Sequence, residues 1–151
     1  MVIIRKATKD DIKTLVDFQL RMANETENLY LDNQTVTNGV KAVLDDENKG
    51  IYYVAVEKKQ VIGMLLTTFE WSDWRNCFYL WLQSVYVQQE SRGKGVFVSL
   101  YNYIKADVKG NENIRGIRLY VDRENEIAQK VYTKLGMNGE HYKVFEWMKK
   151  R

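Results

Sequence analysis

The sequence predicts a single α/β (α+β) domain, and three observations carry that expectation. Apolar runs with strand character alternate with stretches whose apolar residues recur at helical spacing. A length of 151 residues suits one hydrophobic core. No repeat, low-complexity tract or linker interrupts the chain, and Asp45-Asp46-Glu47-Asn48-Lys49-Gly50 reads as a polar turn.

The elements follow in order. Residues 2–7 read as a first strand. Thr8 and Asp11 form a helix-start capping pair, after which Ile12, Leu15, Val16, Met22 and Ala23 recur at helical spacing. Residues 28–34 break that pattern. Thr35 or Thr37 is placed to cap a second helix through Val40, Val43 and Leu44. Residues 51–57 and 61–69 read as strands around a turn at Lys58-Lys59-Gln60. Residues 70–76 read as a polar and aromatic turn. Residues 77–87 form a long apolar strand, expected to be buried on both faces. A helix over 96–108 carries Phe97, Leu100, Tyr101, Ile104 and Val108 on one stripe and ends near Gly110. A strand at 114–121, a helix at 125–135 stopped by Gly136, and a last strand at 141–148 complete the path.

Bulk properties exclude several classes. With 23 basic against 20 acidic residues the net charge is +3, too balanced to imply a nucleic-acid partner. Cys77 and His141 are the only residues of their types, so neither an internal disulfide nor a Cys/His zinc site is expected. A lone cysteine, no secretory signal and no apolar run approaching ~20 residues predict a cytoplasmic protein without a membrane partner.

The most specific stretch is Val85-Tyr86-Val87-Gln88-Gln89-Glu90-Ser91-Arg92-Gly93-Lys94-Gly95. A strand that ends in a basic glycine turn and opens a helix brings backbone N–H groups and the positive helix end to one point. A phosphate or diphosphate is its natural guest, although the same residues also read as a solvated turn. A nucleotide P-loop needs Ser or Thr after Gly-Lys, where this chain has Gly95, and Gly where it has Gln88. A dinucleotide fingerprint needs a third glycine, where this chain has Val98.

The residues Arg92-Gly93-Lys94-Gly95-Val96-Phe97 resemble motif A of the GNAT superfamily of acetyl-coenzyme A-dependent N-acetyltransferases, Arg/Gln-x-x-Gly-x-Gly/Ala, matching at Arg92 and Gly95. Phe97 departs from the small residue at the motif's end. Asn125, Ala128, Tyr132 and Gly136-Met137 resemble motif B, and Ile3-Ile4-Arg5-Lys6-Ala7-Thr8 resembles the family's start. The resemblance covers nearly the whole chain and implies one acetyltransferase domain over 1–151. It implies a mixed sheet of about six or seven strands with about four helices, splayed beside its central strand to admit coenzyme A. It also implies acetyl-CoA as co-substrate. The turn Arg92, Gly93, Lys94, Gly95, Val96 and Phe97 would hold it, with the backbone of Val85, Tyr86 and Val87 pairing its pantetheine arm. Asn125, Ala128 and Tyr132 would contact it from the second motif. A homodimer is expected on the same basis.

No Ser-His-Asp arrangement is visible and Cys77 has no activating partner, so direct attack of an amine on the thioester is expected rather than an acyl-enzyme. Tyr132 is the candidate acid for the leaving thiolate, because a phenol is mostly protonated at neutral pH; its place on an apolar stripe with Ile127, Ala128, Val131 and Leu135 also fits a core residue. Asn125 fits a helix cap as well as a cofactor contact. Trp81 and Gln83 stand where relatives often carry a glutamate, so Glu70 and Asp73 are the candidate bases; solvated turn charges are the other reading, and an amine deprotonated in bulk water needs no base. Trp71 and Trp74, interleaved with Glu70 and Asp73, suit a small cationic amine, and they equally suit a subunit interface. The end of the chain, with His141-Tyr142 and Val144-Phe145-Glu146, resembles the small-amine, diamine-like branch. A non-catalytic acyl-CoA-binding domain is the alternative function.

Overall fold

Alternating apolar strands and short turns build one sheet in the order β1-β2-β3-β4-β5, from Ile3–Lys6, Ile51–Glu57, Gln60–Ser72, Cys77–Val87 and Ile114–Leu119. The computed structural model describes residues 1–150, and the chain falls into two compact units, Met1–Leu119 and Tyr120–Arg151. The first four strands pair antiparallel, and β5 runs parallel to β4. Lys58 and Lys59, both at positive φ, close the two-residue β2–β3 hairpin, whose mirror-type turn suits the strand twist.

One sheet face carries Tyr52, Val54, Met64, Leu66 and Tyr86 against Leu15, Val16, Phe18 and Val40 of α1 (Ile12–Glu27) and α2 (Asn33–Asp45). The other face receives α3 (Val96–Lys109), where the rings of Tyr53 and Tyr103 lie 5.8 Å apart. Gly63 keeps this joint close. A Cβ there would meet a Val96 methyl at 3.1 Å and the Tyr86 carbonyl at 3.2 Å.

The start of α1 is fixed as the sequence implies. The buried Asp11 carboxylate accepts the Thr8 N–H at 2.7 Å and two hydrogen bonds from Arg5 at 2.7 and 3.1 Å. Helix α2 differs from expectation. Its cap is Asp32, which accepts both the N–H and the hydroxyl of Thr35, rather than Thr35 or Thr37. An aspartate with an ionised oxygen is the stronger acceptor for an orphan N–H.

Among the described residues the sheet has five strands, fewer than the six or seven expected. The β3 strand runs on to Ser72, so Glu70 and Trp71 are strand residues and the turn is confined to 73–76. The cause is the partner strand, since Trp71 pairs with Phe78 and Ser72 with Cys77. Burial of β4 alternates, with Leu80 and Leu82 inside and Phe78 and Gln83 exposed, instead of being complete on both faces. The β4–β5 pairing stops at Leu82 and Leu119, which leaves Gln83 to Val87 without a β5 partner. This unpaired end of β4 is where the resemblance implies that the sheet opens.

In the second unit, α4 (Glu126–Lys134) is capped by Asn125, whose side chain accepts the Ala128 N–H at 3.1 Å. Gly136, at φ +89, ends it by donating to the Thr133 carbonyl at 3.0 Å. Residues 141–148 do not form the expected strand, and Tyr142, Val144, Phe145, Trp147 and Met148 are exposed. Alternation specifies two faces of a strand but not a neighbour, and among the described residues this unit offers no second strand to pair with. Among the described residues no helix is long and apolar enough to cross a membrane, and no cluster of His, Cys, Asp and Glu is suited to hold a metal.

Candidate active site

The site begins where β4 ends. The Gln88 N–H donates to the Ile62 carbonyl at 3.0 Å, and a single tight turn over Gln89–Ser91 buries Ser91. The chain then passes through Gly93 at φ +74 and Gly95 at φ +78 into α3. A Cβ at either glycine would meet nothing within 4 Å, so the left-handed backbone, not space, calls for glycine here. Among the described residues the N–H groups of Gly93, Lys94, Gly95 and Val96 have no acceptor. The first bond into the helix runs from the Ser99 N–H to the Gly95 carbonyl at 3.0 Å. Unpaired donors thus gather at the positive end of a helix, beside the β4 edge that β5 leaves open.

Phe97, the departure from motif A, is partly buried, with its ring 6.1 Å from that of Tyr101 on the next turn. Val96 takes the deep position over Gly63. Arg92 is not simply a surface charge. Its Nε donates to the Val87 carbonyl at 2.8 Å, and its Nη2 meets the Glu25 carboxylate at 2.6 Å. The Tyr86 hydroxyl donates to the other Glu25 oxygen at 2.9 Å, and the Arg92 guanidinium stands 5.3 Å from the Tyr86 ring centre. The Arg92 hydrogen bond outweighs desolvation and holds the Glu25 carboxyl below the usual range. Burial, then Glu25, pushes the Tyr86 phenol up. Glu25 lies 67 residues from Arg92, so no local pattern in the sequence announces it.

On the face of the sheet that also bears α1 and α2, Glu70 is already engaged. It accepts from Trp81 Nε1 at 2.8 Å and from Arg118 Nη1 at 2.6 Å. The Arg118 guanidinium lies 3.7 Å from the Tyr79 ring centre. Each Glu70 oxygen thus already accepts one hydrogen bond, and the Arg118 charge favours the ionised carboxylate. Asp73 is exposed in the turn. Trp71 points to the opposite face from Glu70, as successive strand residues must, and its ring meets Phe78 edge-on at 4.9 Å. Glu70 and Trp71 therefore do not build one cage for a cation. Trp74 is exposed in the turn.

The remaining candidates lie on α4. Tyr132 is partly buried, and desolvation pushes its phenol up. Ala128, Val131 and Leu135 share its partly buried stripe, whereas Ile127 is exposed. Asn125 acts as the cap of its helix. Val85, Tyr86, Val87, Arg92, Gly93, Lys94, Gly95, Val96 and Phe97 are thus brought together at one strand end of the first unit, and Asn125, Ala128 and Tyr132 on one helix of the second. Arg118 and Trp81, the partners of Glu70, and Tyr79 beneath Arg118 were missed because their register across β3, β4 and β5 appears only with the sheet.

Residues 13–137 match the model of the acetyltransferase (GNAT) family. A structure from Clostridium difficile 630, described as a possible acetyltransferase, is 44% identical with a TM-score of 0.93, over 100% of this chain and 99% of that one. A structure from Clostridium acetobutylicum, described as a predicted acetyltransferase and solved with acetyl-CoA, is 20% identical with a TM-score of 0.74, over 97% of this chain and 96% of that one. AAC(6')-Iy, solved in complex with the bisubstrate analogue CoA-S-monomethyl-acetylneamine, is 18% identical with a TM-score of 0.77 over 99% of both chains. A search among curated proteins finds no match. With its family model spanning both motifs, the chain belongs to the GNAT family, acyltransferases that take their acetyl group from acetyl-CoA.

Proposed function

We propose that the protein moves an acetyl group from acetyl-CoA to the primary amine of a small molecule, by direct attack through a tetrahedral intermediate. The observation that carries this reading is the turn from Arg92 to Phe97, in which the unpaired N–H donors of Gly93, Lys94, Gly95 and Val96 open α3 beside the free edge of β4. Those donors, with Lys94, hold the diphosphate. The backbone edge over Val85, Tyr86 and Val87, which β5 leaves unpaired, pairs the pantetheine arm as an added strand through groups other than the Val87 carbonyl that Arg92 holds, and an N–H there faces the developing oxyanion. One such donor contributes about 2.7–4 kcal/mol.

Attack forms the C–N bond, and collapse of the intermediate breaks the C–S bond. Tyr132 gives its proton to the departing thiolate, and its raised phenol pKa keeps that proton in place at neutral pH. The amine loses its proton to water or to Asp73. Glu70, paired with Arg118 and Trp81, shapes the acceptor face instead of acting as base. Cys77 is buried, which supports direct transfer over an acyl-enzyme. The family match running from 13 to 137 through both units supports one acetyltransferase domain over 1–151. A cytoplasmic setting and a homodimer belong to the same reading. The lone Cys77 supports the first, and the exposed aromatics Phe69, Trp71 and Phe78 support the second.

The test is release of free thiol from acetyl-CoA across a panel of diamines, polyamines, amino acids and aminoglycosides. Amine-dependent release, with acetylated amine found by mass spectrometry, is the expected result. Release no faster than the amine-free background on every member rejects the small-amine acceptor.

A further inference from the structure

We propose that Glu25, on the last turn of α1, is a positioning residue for the acetyl-CoA turn and acts through Arg92. The proposal rests on the reading above that residues 92–97 hold the diphosphate. Arg92 spans two anchors at once, with Nε on the Val87 carbonyl at 2.8 Å and Nη2 on Glu25 at 2.6 Å. The first anchor pins the turn to the end of β4. The second pins it to α1, and the Tyr86 hydroxyl holds the same carboxylate in place at 2.9 Å. Tyr86 is itself wedged against α1, with its ring 5.0 Å from that of Phe18.

The turn needs such a brace. Gly93 and Gly95 carry no side chain to hold it, and Lys94 is exposed. Backbone donors bind a diphosphate only when they point together, and glycine-rich backbone loses more entropy on ordering than any other. A planar guanidinium that is fixed at both ends supplies the missing constraint, which a lysine cannot reproduce. Glu25 therefore acts on the cofactor without touching it.

The experiment is calorimetric titration of CoA into wild type, Glu25→Ala, Glu25→Gln, Arg92→Lys and the double variant Glu25→Ala/Arg92→Lys. Glu27→Ala removes a like charge from the same helical turn as a control, and circular dichroism confirms that each variant is folded. Loss of the brace weakens CoA binding about 5–10-fold in Glu25→Ala and in Arg92→Lys, while Glu25→Gln, which keeps one acceptor oxygen for Arg92, loses less than Glu25→Ala. Because both single changes cut one tether, the double variant is no weaker than the worse single one. In turnover the KM for acetyl-CoA rises and kcat at saturation holds within about twofold.

Three results overturn the proposal. Tighter binding in both Glu25 variants would mean that the carboxylate only repels the diphosphate. Additive losses would mean that Arg92 and Glu25 act separately. Affinities equal to wild type would mean that the tether is idle. Wild type that binds no CoA rejects the cofactor turn itself, and this inference with it.

Discussion

Two residues carry effects that a side-chain change can read, one on the proposed chemistry and one on stability. Tyr132 is a partly buried phenol with its pKa pushed up by desolvation. As the acid for the thiolate it works while protonated, so its limb of the kcat profile falls only as pH rises through that raised pKa. Tyr132→Phe is expected to lower kcat by about 10²–10⁴-fold with little change in CoA affinity. An undiminished kcat in steady-state assays would assign Tyr132 to packing alone. Asp11 carries stability instead. Burial raises its carboxyl, but the hydrogen bonds of Arg5 and Thr8 prevail and hold it below the usual range. A depressed folded pKa contributes stability above the unfolded value of about 3.9, and that stability is lost as pH falls through the folded one. Asp11→Asn should cost about 1–3 kcal/mol at pH 7 in urea unfolding, with a smaller further loss on acidification than wild type shows. Residue identity made the Thr8/Asp11 pair legible from sequence, and the partly buried place of Tyr132 on α4 followed from its apolar stripe. Glu25 was not legible, because its importance depends on a partner 67 positions away.

At the scale of elements, most helices and strands were readable from period and turn residues, and the misses share one cause. Strand length and strand existence depend on a neighbour. The β3 strand outran its expected end because β4 was there to pair with it through Ser72 and Cys77. Residues 141–148 have the apolar alternation of a strand and no strand to join within their unit. The joint between α3 and the sheet depends on Gly63, where a Cβ would press on Val96 at 3.1 Å and on a backbone oxygen at 3.2 Å. Gly63→Ala should lose about 1–3 kcal/mol in thermal or urea unfolding, and weaken CoA binding because Val96 opens the diphosphate turn. An unchanged melting temperature would show that the helix yields freely. Glu70→Gln tests the acceptor face in a different way. It removes the charge beside Arg118 while keeping an acceptor for Trp81, so KM for the amine should rise about 3–10-fold with kcat largely kept. A fall of kcat by about a hundredfold or more at unchanged amine KM would restore Glu70 as the base.

For the molecule as a whole, a net charge of +3 leaves little general attraction for anions, so the cofactor must be recognised by a built site. The turn proposed for that role was legible as a turn, because glycines at positive φ and the start of a helix leave marks within a few adjacent residues. The cluster of Glu70, Trp81, Tyr79 and Arg118 was not legible, because it comes from three strands that meet only through register. The most direct measurement is a calorimetric comparison of CoA with pantetheine, which has the thiol arm but no diphosphate, on folded wild-type protein and on Gly95→Val. One CoA bound per chain, with pantetheine at least about a hundredfold weaker and Gly95→Val losing most of the CoA affinity, is the predicted outcome. Pantetheine binding as tightly as CoA, or Gly95→Val matching wild type, would contradict the diphosphate turn.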